Sequence, residues 1–446
     1  MPLLARTAPL LAAIIVAACS GRSPAPPTSA AFIPLTLQRE PETRRLGFNR
    51  KPATPIEHVV FIVQENRTID NLFQGYPGAD TVSSGLNSKG ERIALQPIPM
   101  NKEQYDLDNS ADGFFPAYDG GKMDGFDRVG IYGTHKGFPN PQYGYVPRYE
   151  SEPYFDMAKQ YVLGDRMFTS QIDASFISHQ YVIAGYASHA VNYPARVWRC
   201  GGGRQNVIST LTQRRTYGPT INACFDNPTL ADELDAAHLS WRFYAGALNR
   251  TGGLWSGFAA IKHIRYGPDW KNVISPPGRF LTDVKSGTLS NVTWITPTWQ
   301  NSDHASTLSD TGPHWVTALV NAIGRSPFWK TTAIFIMWDD WGGWYDHVPP
   351  PYEDYDGLGI RVPLLIISPY AKHGYVTHVE YEHGSILRFI EDNWGLAHLA
   401  ASDSRANDPA NDAFDWDAPR PFKPFAAKYP DSYFIDQSDV GYPDAR

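Results

Sequence analysis

His58-Val59-Val60-Phe61-Ile62-Val63-Gln64-Glu65-Asn66-Arg67 is an unbroken apolar run that ends on an acidic residue and an amide. Apolar residues without polar alternation predict a strand buried on both faces, as in a parallel sheet covered by helices. The pattern returns at 291–295, at 362–367, and at Thr332-Ala333-Ile334-Phe335-Ile336-Met337-Trp338, which runs straight into Asp339-Asp340. Helical patterns lie between these runs, over 176–187, 230–237, 315–323 and 385–394. Strand and helix alternate without an interior linker. The expected fold is therefore α/β, a single domain over 56–446 with a large, mostly parallel central sheet and helices on both faces. The loop-rich stretch 80–149 is expected to cover a site rather than build the sheet, and the Asp- and Pro-rich chain after Trp394 to wrap the domain.

Composition narrows the function. The 446 residues are 42% hydrophobic and 19% charged, which excludes wholesale disorder and a polytopic membrane protein. Thirty-nine basic against 46 acidic residues give −7, without a long Lys/Arg run, so nucleic acid is excluded as a partner. Thirteen Trp and 24 Tyr suit either a large apolar core or a wide, aromatic-walled site. Arg6 precedes an apolar run over 8–18, too short to span a bilayer and of signal-peptide length, so 1–18 reads as a signal peptide. Val16-Ala17-Ala18-Cys19-Ser20 is similar to a bacterial lipobox. Lipidation at Cys19 would anchor the mature chain to a membrane, each acyl methylene adding about 0.8 kcal/mol, with Ser20 favouring the outer membrane or periplasm. An ordinary signal peptide or an anchor helix are the alternatives. Residues 19–55, with Pro24, Pro26, Pro27 and Pro34, read as the tether of that anchor. Cys200 and Cys224 form an even pair in an exported chain and are expected to make a disulfide, the other reading being a thiolate metal site.

Ligands of open α/β sheets bind beyond the carboxyl ends of the strands. Glu65, Asn66, Asp339 and Asp340 would then share one crevice, where three carboxylates repel one another unless a divalent cation offsets their charge. Oxygen ligands suit Mg²⁺, Ca²⁺ or Mn²⁺, and an added His admits Zn²⁺ or Fe. Ser175, in Asp173-Ala174-Ser175-Phe176-Ile177-Ser178-His179-Gln180, stands where a helix begins. It is either an N-cap or a nucleophile stabilised by a metal and the helix dipole. His304 and His347 also follow strand ends.

Glu65-Asn66-Arg67-Thr68-Ile69-Asp70-Asn71-Leu72-Phe73 resembles the opening motif of the bacterial phosphoesterase family, which holds non-specific phospholipases C and related acid phosphatases. Gly121-Lys122-Met123-Asp124-Gly125-Phe126, the Ser175 region, Asp339-Asp340-Trp341-Gly342-Gly343-Trp344-Tyr345-Asp346-His347-Val348-Pro349-Pro350, Arg361-Val362-Pro363 and Tyr381-Glu382-His383-Gly384-Ser385 resemble its later blocks, in order. The resemblance implies an alkaline-phosphatase-like fold and hydrolysis of a phosphate ester or phospholipid through a phosphoserine on Ser175. It implies one divalent metal held by Glu65, Asn66, Ser175, Asp339 and Asp340. His304 is implied as acid–base residue with His347 as second choice, and Asn109, His179 and His383 as substrate contacts. His347 and His383 could instead orient Asp339 and Asp340. Asn109 stands where family phospholipases often carry His, and can hydrogen-bond a phosphate without shuttling a proton. Ser175 replaces a frequent Thr, and the chain stops without the C-terminal domains of the longer phospholipases. These departures lean towards a broad-specificity phosphatase. The competing readings are a sulfatase, for which the expected Cys nucleophile is absent from the motif blocks, and a non-catalytic surface lipoprotein that binds carbohydrate or peptide.

Overall fold

The apolar runs at 58–64 and 332–338 pair directly with each other. The computed structural model describes residues 50–195 and 197–437; the signal-peptide and lipid-anchor expectations, Cys19 included, lie outside the described residues. The central sheet contains β1 (His58–Gln64), β2 (Val162–Phe168), β3 (Trp241–Tyr244), β4 (Val273–Ile274), β5 (Val292–Ile295), β6 (Thr332–Trp338), β7 (Arg361–Ile367), β8 (Tyr375–Thr377) and β9 (Tyr381–Glu382). Their order is β4-β3-β5-β1-β6-β7-β2-β8, with β9 also on β2. Every pairing is parallel except the two made by β7. All residues of β6 and β7 are buried, so β7 reads as an apolar run although its direction is reversed.

Strands buried on both faces need helices on both. The principal ones are α1 (Ala111–Tyr118), α2 (Arg148–Gln160), α3 (Ser175–Ala184), α4 (Leu230–Ala236), α5 (Gly312–Gly324) and α6 (His383–Trp394). α2 packs on α5, while α3 packs on α4 and α6. The mostly parallel α/β architecture expected from the sequence is the one observed.

Residues 80–149 add no strand to the central sheet. Their short strands pair among themselves, and they build a second core around Phe114, Phe126 and Tyr143 that packs on Trp341, Trp344 and Tyr345 just after β6. The chain beyond α6 lies along the domain, where Phe414 stacks on Phe389 (5.4 Å) and Asn321 exchanges two hydrogen bonds with the Phe425 backbone. At the other end the fold begins before Ile56. Ala53 N donates to Asn393 O (2.7 Å) and Thr54 Oγ1 to Asn393 Oδ1 (2.7 Å), so the last residues assigned to the tether are docked. The expected Cys200–Cys224 disulfide is present.

Candidate active site

Sheet register brings the two acidic strand ends together. Gln64 pairs with Trp338, and Asp339 N donates to Gln64 O (3.0 Å), so Glu65-Asn66 and Asp339-Asp340 leave the sheet side by side. Asn66 adopts left-handed backbone (φ 63°), which Asn tolerates better than most residues. Its N–H, with that of Asp340, donates to Asp339 Oδ1 (3.0 and 2.8 Å). Gly342 (φ +63°) closes the turn, and a Cβ there would lie 2.4 Å from Asn66 O. Asp340 Oδ1 accepts from Gly342 N (2.7 Å), Asn66 Nδ2 (3.2 Å) and Asn109 Nδ2 (2.9 Å).

Ser175 reaches the same carboxylate. It is the first helical residue of α3, with Ala174 at the N-cap and no side chain capping the helix. The N-cap reading of Ser175 is thereby corrected: its hydroxyl donates to Asp340 Oδ2 (3.0 Å) and lies 3.5 Å from Asn66 Oδ1. The helix end is left free to face an anion.

Glu65, Asp339 and Asp340 are fully buried. Burial, then the charge of Asp339, holds the Glu65 and Asp340 carboxyls well above the usual range. Glu65 Oε2 and Asp339 Oδ2 have no hydrogen-bond partner among the described residues. Two donor-less carboxylate oxygens in a dry cluster are costly unless a proton or a cation balances them. His179 Nε2 stands 3.1 Å from Glu65 Oε1 and 3.6 Å from Asp339 Oδ2, and burial pushes this imidazole down to about 4, hence neutral and able to ligate. Glu65, His179 and Asp339 thus offer closely spaced donors, and the oxygen-rich set fits a divalent cation.

A solvent-open pocket with a cavity volume of about 70 Å³ lies above Ser175. Asn109 and His304 line it with Ser175, between aromatic walls from Tyr132, Tyr193, Trp198, Trp255 and Trp299; none of the lining residues is Lys or Arg. His304 is held against Trp299 (ring centroids 4.9 Å), and its Nδ1 lies 2.6 Å from Ala305 O. With Nδ1–H donated to that carbonyl, Nε2 is the nitrogen left to accept a proton.

Three histidines are placed otherwise than as substrate or acid–base contacts, and for His383 the placement agrees with the alternative reading that set it beside Asp339. His179 lies one turn beyond Ser175 on the same face of α3, buried among the carboxylates instead of on the substrate. His383 is fully buried at the start of α6, its field shaped by Asp339 and His179, and burial pushes it down to about 4. It is an inner neighbour of the carboxylates and no part of the pocket lining. His347 does not reach Ser175 or Asp340: its ring nitrogens engage Asp70 Oδ2 (2.7 Å) and Asp80 Oδ1 (3.1 Å). The adjacent Asp70–Asp346–His347 group already contains a cation, since Arg361 binds Asp346 through Nε (2.9 Å) and Nη2 (3.1 Å).

Sequence reasoning missed the support beneath His304. Arg67, wholly buried, donates through Nε to Asp303 O (2.7 Å) and through both terminal nitrogens to Glu103 (2.9 and 2.7 Å). It joins the β1 end to the His304 loop. Its place in the motif beside Glu65-Asn66 was the available signal.

Comparison with known proteins places this geometry in context. The model of the Phosphoesterase family matches residues 56–397. A non-hemolytic phospholipase C of Burkholderia pseudomallei is 24% identical over 419 residues, covering 79% of this chain and 56% of the relative. A hemolytic phospholipase C of Pseudomonas aeruginosa is 23% identical, with 80% and 56% covered. Non-specific phospholipase C1 of Arabidopsis thaliana is 25% identical, with 77% and 67% covered. The chain spans a little over half the length of the two bacterial relatives. Among solved structures, a protein in the alkaline phosphatase superfamily from Vibrio parahaemolyticus is similar at a TM-score of 0.36 and 9% identity, over 81% of this chain and 71% of that one.

Proposed function

The chain belongs to the phosphoesterase family, and on that premise we propose that it hydrolyses phosphate esters through a phosphoserine formed on Ser175. One observation carries this reading: the Ser175 hydroxyl heads an uncapped helix, donates to a buried carboxylate and opens into the aromatic pocket. Glu65, Asn66, Ser175, Asp339 and Asp340 would hold one divalent cation, with His179 as a further donor that admits Zn²⁺ or Fe beside Mg²⁺, Ca²⁺ and Mn²⁺. Bound there, the cation supplies the positive charge that phosphoryl oxygens and a serine alkoxide require and that no lining Lys or Arg provides.

Ser175 Oγ attacks phosphorus in line, its O–P bond forming as the bond to the leaving oxygen breaks. The Oγ–H already points at Asp340 Oδ2, which takes that proton as the O–P bond forms and returns it to Oγ when the Ser175–phosphorus bond is cleaved. The first backbone N–H groups of α3 face the phosphoryl oxygens, and Asn109 adds a donor at the pocket floor. His304 Nε2 protonates the departing alkoxide, then takes a proton from the water that cleaves the Ser175–phosphorus bond. The leaving group lies against the aromatic walls, so both small phosphomonoesters and phospholipid headgroup esters are admitted. Lipidation at Cys19 would hold this activity at a membrane surface, at the outer membrane or in the periplasm.

The test is turnover of p-nitrophenyl phosphate and p-nitrophenylphosphorylcholine by protein purified without chelator, with its metal content measured. Ser175→Ala is expected to abolish both activities while the fold is kept. Wild-type turnover by that variant would remove Ser175 from the mechanism. Inert wild-type protein across a panel of divalent cations would favour the non-catalytic lipoprotein.

A further inference from the structure

Asp173, two residues before Ser175, is almost completely buried, is not part of the pocket lining and enters none of the steps above. Its carboxylate gathers backbone N–H groups from three separate loops. Oδ1 accepts from Ala174 N (2.7 Å), in the turn that delivers Ser175, and from Ala111 N (3.2 Å), two residues past Asn109. Oδ2 accepts from Asn192 N, immediately before the wall residue Tyr193. Gln171 braces the same turn: its amide oxygen accepts from Asp173 N, and its Nε2 donates to Asp173 O (3.0 Å) and Ser178 Oγ (2.5 Å).

We infer that Asp173 is a positioning residue that sets Asn109 and the Tyr193 wall relative to the Ser175 hydroxyl, an inference that rests on the nucleophile reading above. The two oxygens of a carboxyl group offer enough lone pairs for three N–H groups at once. An amide side chain of the same size, with one oxygen and one N–H₂, does not. Asn in its place would turn an N–H₂ towards at least one backbone N–H and release that loop. The Asn109 loop is otherwise held by Trp341 Nε1 on Asn109 O (3.0 Å), by Asp108 N on Gly130 O (2.9 Å) and by Asn109 Nδ2 on Asp340 (2.9 and 3.0 Å), all before Ala111. Freeing Ala111 therefore lets the segment after Asn109 shift while the segment before it stays. A misplacement of about 1 Å at a reacting centre lowers turnover by up to roughly 10²-fold.

Asp173→Asn and Ala111→Pro test this from opposite sides. Ala111 is the first residue of α1, a position where proline is tolerated, so the second variant deletes the single N–H and keeps the helix. Both are expected to fold with melting temperatures near wild type and to lose about ten-fold or more in kcat on p-nitrophenyl phosphate. Combined with Asn109→Ala, Ala111→Pro should lose no more than the worse single variant, because both changes act through the Asn109 amide. Multiplicative losses in that double variant, or kcat within two-fold of wild type for Ala111→Pro, would overturn the inference. Should Asp173→Asn fail to fold, Ala111→Pro and its double variant decide alone. Ser175→Ala separates the two levels: an active Ser175→Ala enzyme sinks the nucleophile, whereas a dead one beside fully active Asp173→Asn and Ala111→Pro variants sinks only the role of Asp173.

Discussion

Replacing Glu65 by Gln should stabilise the metal-free protein and destabilise the metal-loaded one. Glu65 shares a dry cluster with Asp339 and Asp340, and one of its oxygens has no donor. Gln keeps the shape and removes one of three crowded charges. Relief of an unsatisfied buried group is worth about 2 kcal/mol. An unfolding entropy near 2.1 cal/mol/K per residue over roughly 390 ordered residues gives about 0.8 kcal/mol/K, so that relief raises Tm by about 2–3 °C. Conversely, a cation at a thousand times its Kd adds about 4.1 kcal/mol to the wild type, or about 5 °C, and much less to a site short of one carboxylate.

The pH dependence has a definite sign. The folded pKa of Glu65 lies above its unfolded value, so the proton it binds favours the folded state at low pH. That contribution is complete below the unfolded pKa and is lost as pH rises towards the folded one, at up to about 1.4 kcal/mol per pH unit. The advantage of Glu65→Gln in chelator should therefore grow from pH 4 upwards. Calorimetry of both proteins after dialysis against chelator, then with Mg²⁺, Ca²⁺, Mn²⁺ or Zn²⁺ restored, reads the crossing directly. A variant less stable than wild type in chelator, or one with an equal cation response, would refute the account of the cluster.

Gly342→Ala places a Cβ 2.4 Å from Asn66 O at φ +63° and should lower Tm by a few degrees and turnover by at least about ten-fold, checked by calorimetry and kcat. Glu391 is buried against Asp403 and Glu233 with neither oxygen hydrogen-bonded among the described residues, and burial pushes it up to about 10. Its raised folded pKa means stability is lost as pH climbs through the alkaline range, so Glu391→Gln should flatten denaturant-measured stability between pH 7 and 10. Reducing Cys200–Cys224 frees the loop that starts two residues after the wall residue Trp198. It should cost about 3 kcal/mol, roughly 4 °C of Tm, and raise KM for the phosphorylcholine ester.

What the sequence disclosed follows from how each element is buried. β1 and β6 are apolar on both faces, so their runs are continuous and their acidic ends visible. β2 is almost as fully buried yet escaped notice because Gly164-Asp165-Arg166 interrupts it. Asp165 is buried there by partners from distant segments, His378 and the Asp80 N–H, and Gly164 leaves room for Leu364 on β7. The reversed direction of β7 leaves no trace in composition, since a strand enclosed on both sides is apolar whichever way it runs. The same distinction separates the carboxylates from the histidines. Glu65 and Asp339 are fixed by one register between neighbouring strands, so locating the strands locates the cluster. His347 and His383 take their roles from whatever faces them, a pair of aspartates in one case and an inner wall of the cluster in the other. Spacing along the chain encodes the first kind of proximity and not the second. His179 falls between the two: four residues after Ser175 on α3, it could be placed beneath the nucleophile by helix periodicity alone, whereas its contact with Glu65 required the sheet.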